Sequence, residues 1–202
     1  MHFENHCIYH IYNQGNNRRD VFLKEAHYFY FIEKMRQHLL PFGDLLSWCL
    51  MPNHFHWQFR VKENTLPQYR VAKRPTDRNK SITLNASIGI LLRSYTRGVN
   101  KELNWSGSLF RNETKAKGKL LDEIIAANHP HFRNTRFYDH ICFEYIHQNP
   151  VKANLVKEAA QWRFSSAREY KWQLENGLCN RNLARELGLG MGWESGGESL
   201  TP

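Results

Sequence analysis

A chain of 202 residues that is 41% hydrophobic suits one domain with an extension, or two small domains, and is apolar enough for a core, which excludes wholesale disorder. Its net charge of +9 and isoelectric point of about 9.5 call for a polyanionic partner, nucleic acid first and an anionic membrane surface second. No apolar run reaches the roughly 18 residues that span a bilayer. The opening His2-Phe3-Glu4-Asn5 lacks signal-peptide form, and Cys7, Cys49, Cys142 and Cys179 show no Cys-x-x-Cys spacing, so reduced thiols in a cytoplasm are expected.

In chain order, Cys7-Ile8-Tyr9-His10-Ile11-Tyr12 is an apolar and aromatic strand within residues 4–13. Residues 13–17 break it as a polar loop, with Arg18 and Arg19 adding charge. Residues 24–40 are expected to be helical, with Ala26, Phe29, Tyr30, Met35 and Leu39 on one broad apolar face and a stop at Pro41-Phe42-Gly43. Residues 45–50 read as a second, buried strand, Pro52-Asn53 is turn chemistry, and a return strand runs to about Val61. Residues 62–80, polar and basic with Pro67 and Pro75, read as a mobile loop.

A helix is expected from Ser81 to about Lys101, carrying Leu84, Ile88, Leu91, Leu92 and Tyr95. Gly107-Ser108-Leu109-Phe110 then opens a strand-like run towards Lys117. Residues 120–127 suggest a short helix, and Asn128-His129-Pro130-His131 a turn rather than a ligand pair. A helix over 137–148 should end near Pro150, which restrains Asn149. After an apolar connector over 151–156, Trp162-Arg163-Phe164-Ser165-Ser166 leads into another helix over 167–175. The glycine-rich last fifteen residues read as a poorly ordered tail, which gives a domain over 1–175 and an extension over 176–202.

Residues 61–120 hold 13 lysines and arginines against 4 acidic residues, a surplus equal to that of the whole chain. Phosphate-backbone contacts are therefore assigned to Lys73, Arg74, Arg78, Arg93, Arg97, Arg111, Lys115 and Lys117, with Arg18 and Arg19 beside the first strand. The same surplus would also fit an ordinary solvated surface.

The chemistry centres on His54 and His56 in the return strand. Strand residues two apart leave the same face roughly 6.6 Å from each other, so both imidazoles can reach one cation, with Phe55, Trp57 and Phe59 on the other face. Tyr145 and Asn149 are four apart, one turn on a helix. Should the two faces meet, the site would hold two imidazoles, an amide oxygen and a phenol. Such a set suits Mg²⁺ or Mn²⁺ on a phosphate, with the phenol as nucleophile. Taken separately, a helical tyrosine is ordinary packing and an asparagine before proline an ordinary terminator. Tyr138, seven residues before Tyr145, competes for the nucleophile's role but lies about 10 Å away along the axis.

The run Leu50-Met51-Pro52-Asn53-His54-Phe55-His56 resembles the His-hydrophobe-His motif of the HUH endonucleases, most of all the single-tyrosine transposases acting on single-stranded DNA. Tyr145-Ile146-His147-Gln148-Asn149-Pro150-Val151-Lys152 resembles the tyrosine helix of the REP-associated tyrosine transposase branch. Tyr9-His10-Ile11-Tyr12-Asn13-Gln14-Gly15-Asn16, Gly107-Ser108-Leu109-Phe110-Arg111 and Trp162-Arg163-Phe164-Ser165-Ser166 match further landmarks, in order over residues 5–170. The resemblance implies an α+β fold, an antiparallel sheet with packed helices of ferredoxin-like or RRM-like type. It implies His54, His56 and Asn149 as ligands of Mg²⁺ or Mn²⁺ and Tyr145 as the nucleophile. It also implies cleavage of single-stranded DNA beside hairpin or palindromic repeats, leaving a 5′-phosphotyrosine and a free 3′-OH. Gln14 departs from the Asn-Arg-Gly usual in the first loop. Related transposases include dimers that exchange tyrosine helices, so monomer and homodimer both stay open. Two other readings compete: a non-catalytic nucleic-acid-binding module, and a metal-dependent phosphohydrolase of small substrates.

Overall fold

The computed structural model describes residues 1–67, 80–118 and 135–190, excluding the side chains of 135–137. A four-stranded antiparallel sheet, in the order β2-β3-β1-β6, is built from β1 (Ile8–Gln14), β2 (Gly43–Met51), β3 (His54–Val61) and β6 (Lys115–Lys117). A two-stranded ribbon pairs β4 (Thr65–Pro67) with β5 (Ser81–Thr83). Among the described residues the α-helices are α1 (Glu25–His38), α2 (Leu84–Leu103), α3 (Thr135–Lys152), α4 (Ala167–Lys171) and α5 (Arg181–Glu186). Among the described residues no helix is long and apolar enough to cross a membrane. The four cysteines are free thiols.

The alternation of His-Phe-His-Trp-Gln-Phe in β3 gives the sheet two unlike faces. Phe55, Trp57 and Phe59 are fully buried on one of them, under α1 and α2. Phe31 of α1 is the hub there, with its ring 5.4 Å from Phe55, 6.0 Å from Trp57 and 5.0 Å from Tyr95 of α2. Such tilted and edge-on pairs add to what burial of the rings alone contributes. The Tyr95 hydroxyl donates to the carbonyl of Val21 at 2.6 Å, so its polar end is satisfied inside the core.

The other face carries α3. Gln58 Nε2 donates to the carbonyl of Asp139 at 2.9 Å, and Cys142 and Ile146 pack on Cys49 and Met51 of β2. Covered on both sides, all nine residues of β2 are buried. The segment after α3 is tied to β2 as well. Trp48 Nε1 donates to Glu169 at 2.8 Å, the Ser166 hydroxyl accepts from Trp48 N at 2.8 Å, and Asn180 donates to Asp44 at 3.0 Å.

The α+β class and the hairpin at Pro52-Asn53 are as expected, and several details differ. The buried stripe of α1 is His27, Tyr28, Phe31, Met35 and His38, while Phe29 and Tyr30 are exposed. Aromatic residues lie nearly all round this helix, and the position of Phe55 and Trp57 selects the stripe. The second helix starts at Leu84, because residues 81–83 pair as β5 and Thr83 caps the helix through Ala86 N at 3.2 Å. The run over 107–117 is strand only at Lys115–Lys117, with one bridge from Phe110 to Gly15.

α3 also continues through Pro150 to Lys152. The missing N–H falls in the last turn, where it removes a single helical bond. The end is set by Asn154, at φ 56°, and by Leu155 N donating to Pro150 O at 2.9 Å. Within the expected tail, Leu189 is fully buried against Leu46, Phe143 and Tyr170, so the chain packs as far as Gly190. The loop expected over 62–80 is strand at Thr65–Pro67, and its residues 68–79, like the expectations for 120–131 and for the end of the tail, 191–202, lie outside the described residues.

Candidate functional site

Three segments distant in sequence meet at the start of β3. The β1–β3 register sets Tyr12 opposite His56 and Gln14 opposite His54. α3 crosses this corner and holds the Tyr145 ring 5.3 Å from the His56 ring and 5.9 Å from the His10 ring. Tyr145 remains 39% exposed, at the edge of a cleft of about 250 Å³ lined also by Tyr12, Gln14, His54, His56 and Arg111. Tyr138 packs instead against the cluster of Cys49, Met51, Cys142 and Ile146.

The hydrogen bonds define which imidazole nitrogens are free. Asn53 Nδ2 donates to the carbonyl of Arg18 at 3.0 Å, so its Oδ1 turns to His54 and accepts from Nδ1 at 2.5 Å. The tautomer with its proton on Nδ1 satisfies this contact and keeps a lone pair on Nε2. His56 Nδ1 is engaged by His10 Nε2 at 2.9 Å, which likewise leaves the Nε2 of His56. Asn149 Nδ2 donates to the carbonyl of Tyr145 at 2.8 Å, and the Asn149 side chain is also hydrogen-bonded to His54.

Burial sets the charge state of the cluster. It holds His56 well below the ordinary imidazole value, with His10 and His54 adding to the effect. His54 is lowered by burial, against the opposing effect of its hydrogen bond to Asn149. His10 is pushed down to about 4 by burial and then by the Lys117 charge. All three are therefore neutral at pH 7, the form in which imidazole ligates metals.

Two Nε2 lone pairs and an amide oxygen fit a divalent cation that keeps open positions for a phosphate. Among the described residues, no group of three or more His, Cys, Asp or Glu is placed to hold a metal ion. The donor set suggested by the sequence is instead two imidazoles and an amide.

Three residues at the cleft were not singled out from sequence. His10 and Tyr12 lie on the polar side of β1, and their signal is its period-two run with Gln14. Lys152 Nζ sits 5.4 Å from the Tyr145 ring centroid, and its signal is the seven-residue spacing along α3. Of the cations assigned to phosphate contacts, Arg18, Arg19, Arg93, Arg97, Arg111, Lys115 and Lys117 are exposed. Arg111 and Lys115 also line the cleft, and Lys115 pairs with Glu113 at 2.6 Å. Lys73, Arg74 and Arg78 lie outside the described residues.

No protein-family model matches the chain, and no curated protein matches it. Among solved structures, it is similar to a REP-associated tyrosine transposase bound to a REP hairpin, with a TM-score of 0.52 and 17% identity over 93% of this chain and 85% of that one. At that identity the likeness is one of fold.

Proposed function

We propose that the chain is a metal-dependent single-strand DNA nuclease and strand transferase of the HUH type, with Tyr145 as its nucleophile and DNA hairpins as its substrate. The observation that carries this reading is the exposed Tyr145 phenol beside the His54–His56 pair, with Asn149 one turn away on the same helix. The likeness of fold to a transposase solved on hairpin DNA supports it, as does the positive charge of the chain.

His54, His56 and Asn149 would hold Mg²⁺ or Mn²⁺, which when bound draws charge onto the phosphoryl oxygens. Tyr145 attacks phosphorus, so a tyrosyl O–P bond forms while the bond to the 3′ oxygen breaks. The protein keeps the 5′ phosphate and releases a 3′-OH. The covalent link conserves the energy of the broken bond for rejoining. Lys152, with its Nζ 5.4 Å from the Tyr145 ring centroid, adds positive charge beside the phosphate under attack. Arg111 and Lys115 hold the neighbouring phosphates.

The test is a single-stranded hairpin labelled separately at each end, incubated with Mn²⁺ and run on a denaturing gel. Wild-type protein gives an adduct carrying the label from the 3′ side of the cut. Tyr145→Phe gives none, Tyr138→Phe gives it as before, and the His54→Ala, His56→Ala double variant binds DNA without cutting it. An adduct surviving in Tyr145→Phe would sink the assignment. Binding without any adduct would leave the non-catalytic nucleic-acid-binding reading.

A further inference from the structure

A second concavity, of about 1460 Å³, runs along α2 and the segment that follows it. It shares Arg111, Glu113 and Lys115 with the tyrosine cleft, so the two adjoin. Arg93, Arg97 and Lys101 recur every fourth residue along its wall, one ridge of α2 with a rise of about 6 Å per step. Among the described residues none of these three, nor Arg111, makes an ion pair, and Glu113 is the groove's only carboxylate side chain.

Trp105 stands at the end of this ridge and is 44% exposed. Its backbone is anchored. α2 ends in a left-handed Asn104, Trp105 N donates to the carbonyl of Asn100 at 2.8 Å, and Asn100 Nδ2 donates to that of Gly107 at 2.8 Å. Arg19, anchored on the Ser108 carbonyl, lies 6.0 Å from the indole centroid. An exposed indole flanked by cations that make no ion pair among the described residues offers a π-face to a base and positive charge to its phosphates. A base inside a duplex presents no free face to it, so the occupant is single-stranded.

We infer that this groove is a single-stranded DNA track leading to the Tyr145 cleft, with Trp105 as the stacking platform for one base. The inference rests on the proposed function for what happens at the cleft, but binding in the groove needs no cleavage.

The experiment is therefore done in EDTA, where chemistry is silent. Anisotropy of a fluorescein-labelled 20-nucleotide single strand, and of a duplex of the same length, is measured against wild-type, Trp105→Ala and Trp105→Phe proteins, with circular dichroism checking the fold. Loss of one stacked base weakens single-strand binding by about 10-fold in Trp105→Ala, with Trp105→Phe close to wild type. Duplex affinity should stay unchanged. Equal single-strand affinity for wild type and Trp105→Ala, or an equal loss on the duplex, overturns the inference. The hairpin adduct assay fails or succeeds independently of either result.

Discussion

Asn53 determines which nitrogen of His54 is free, and His10 does the same for His56. A ring nitrogen held by a polar neighbour fixes tautomer and orientation, and loss of such a partner typically lowers metal affinity about 10- to 100-fold. His10 Nε2 sits 2.9 Å from His56 Nδ1 with both rings neutral, so at the proposed metal site His10 would position His56 rather than ligate. His10→Ala should weaken Mn²⁺ binding by that order, read from the electron paramagnetic resonance signal of free Mn²⁺ with no DNA present. Unchanged affinity would show that the sheet alone orients His56. The pairing was not legible in sequence. His10 pairs across the register with Gln58 and reaches His56 only on the diagonal, which depends on a strand register that composition does not reveal.

At the scale of elements, the hairpin tip that carries His54 is clamped by the loop after β1. Gly15 N donates to Asn53 O at 2.8 Å, and Val21 N and Phe22 N both donate to Pro52 O. Gly15 has an ordinary φ of −58°, so its need is for space: a Cβ there would lie 2.2 Å from the carbonyl oxygen of Arg19. Gly15→Ala must push this loop off the tip. It should cost more than about 1 kcal/mol in urea unfolding and weaken Mn²⁺ binding through the displaced His54. An unchanged unfolding midpoint would mean that the loop yields without strain.

The hairpin and the His pair were legible because period-two alternation and a Pro-Asn turn are strong local signals. The tyrosine face of α3 was legible from the four-residue spacing of Tyr145 and Asn149. Lys152 was missed because Pro150 reads as a stop, whereas the helix tolerates it in its last turn. The buried face of α1 was missed because its aromatic residues do not define one stripe, and tertiary contact chooses among them.

At the scale of the molecule, the two faces of the sheet divide the work: an aromatic core under α1 and α2, and the polar cleft under α3. That core holds one group whose charge opposes folding. His38, the last residue of α1, is 5% exposed, and its Nδ1 has no hydrogen-bond partner among the described residues. Burial, and then the Lys34 charge, lower it to about 4. In the unfolded chain it titrates near the ordinary value of about 6.5. Above that pH both states are neutral and His38 contributes nothing to the pH dependence. As pH falls below it, the unfolded chain takes up a proton that the folded chain refuses, and stability is lost until the folded form also protonates near 4. By pH 4.5 the loss is at most about 2.5 kcal/mol, or several degrees in Tm for a chain of this size. His38→Gln, which cannot titrate, should lose less Tm than wild type between pH 7 and 4.5, whatever the offset between the two proteins at pH 7. Melting both by circular dichroism in EDTA, so that no cation occupies His54 and His56, isolates this group. Parallel curves would show that acid unfolding is driven from elsewhere in the molecule.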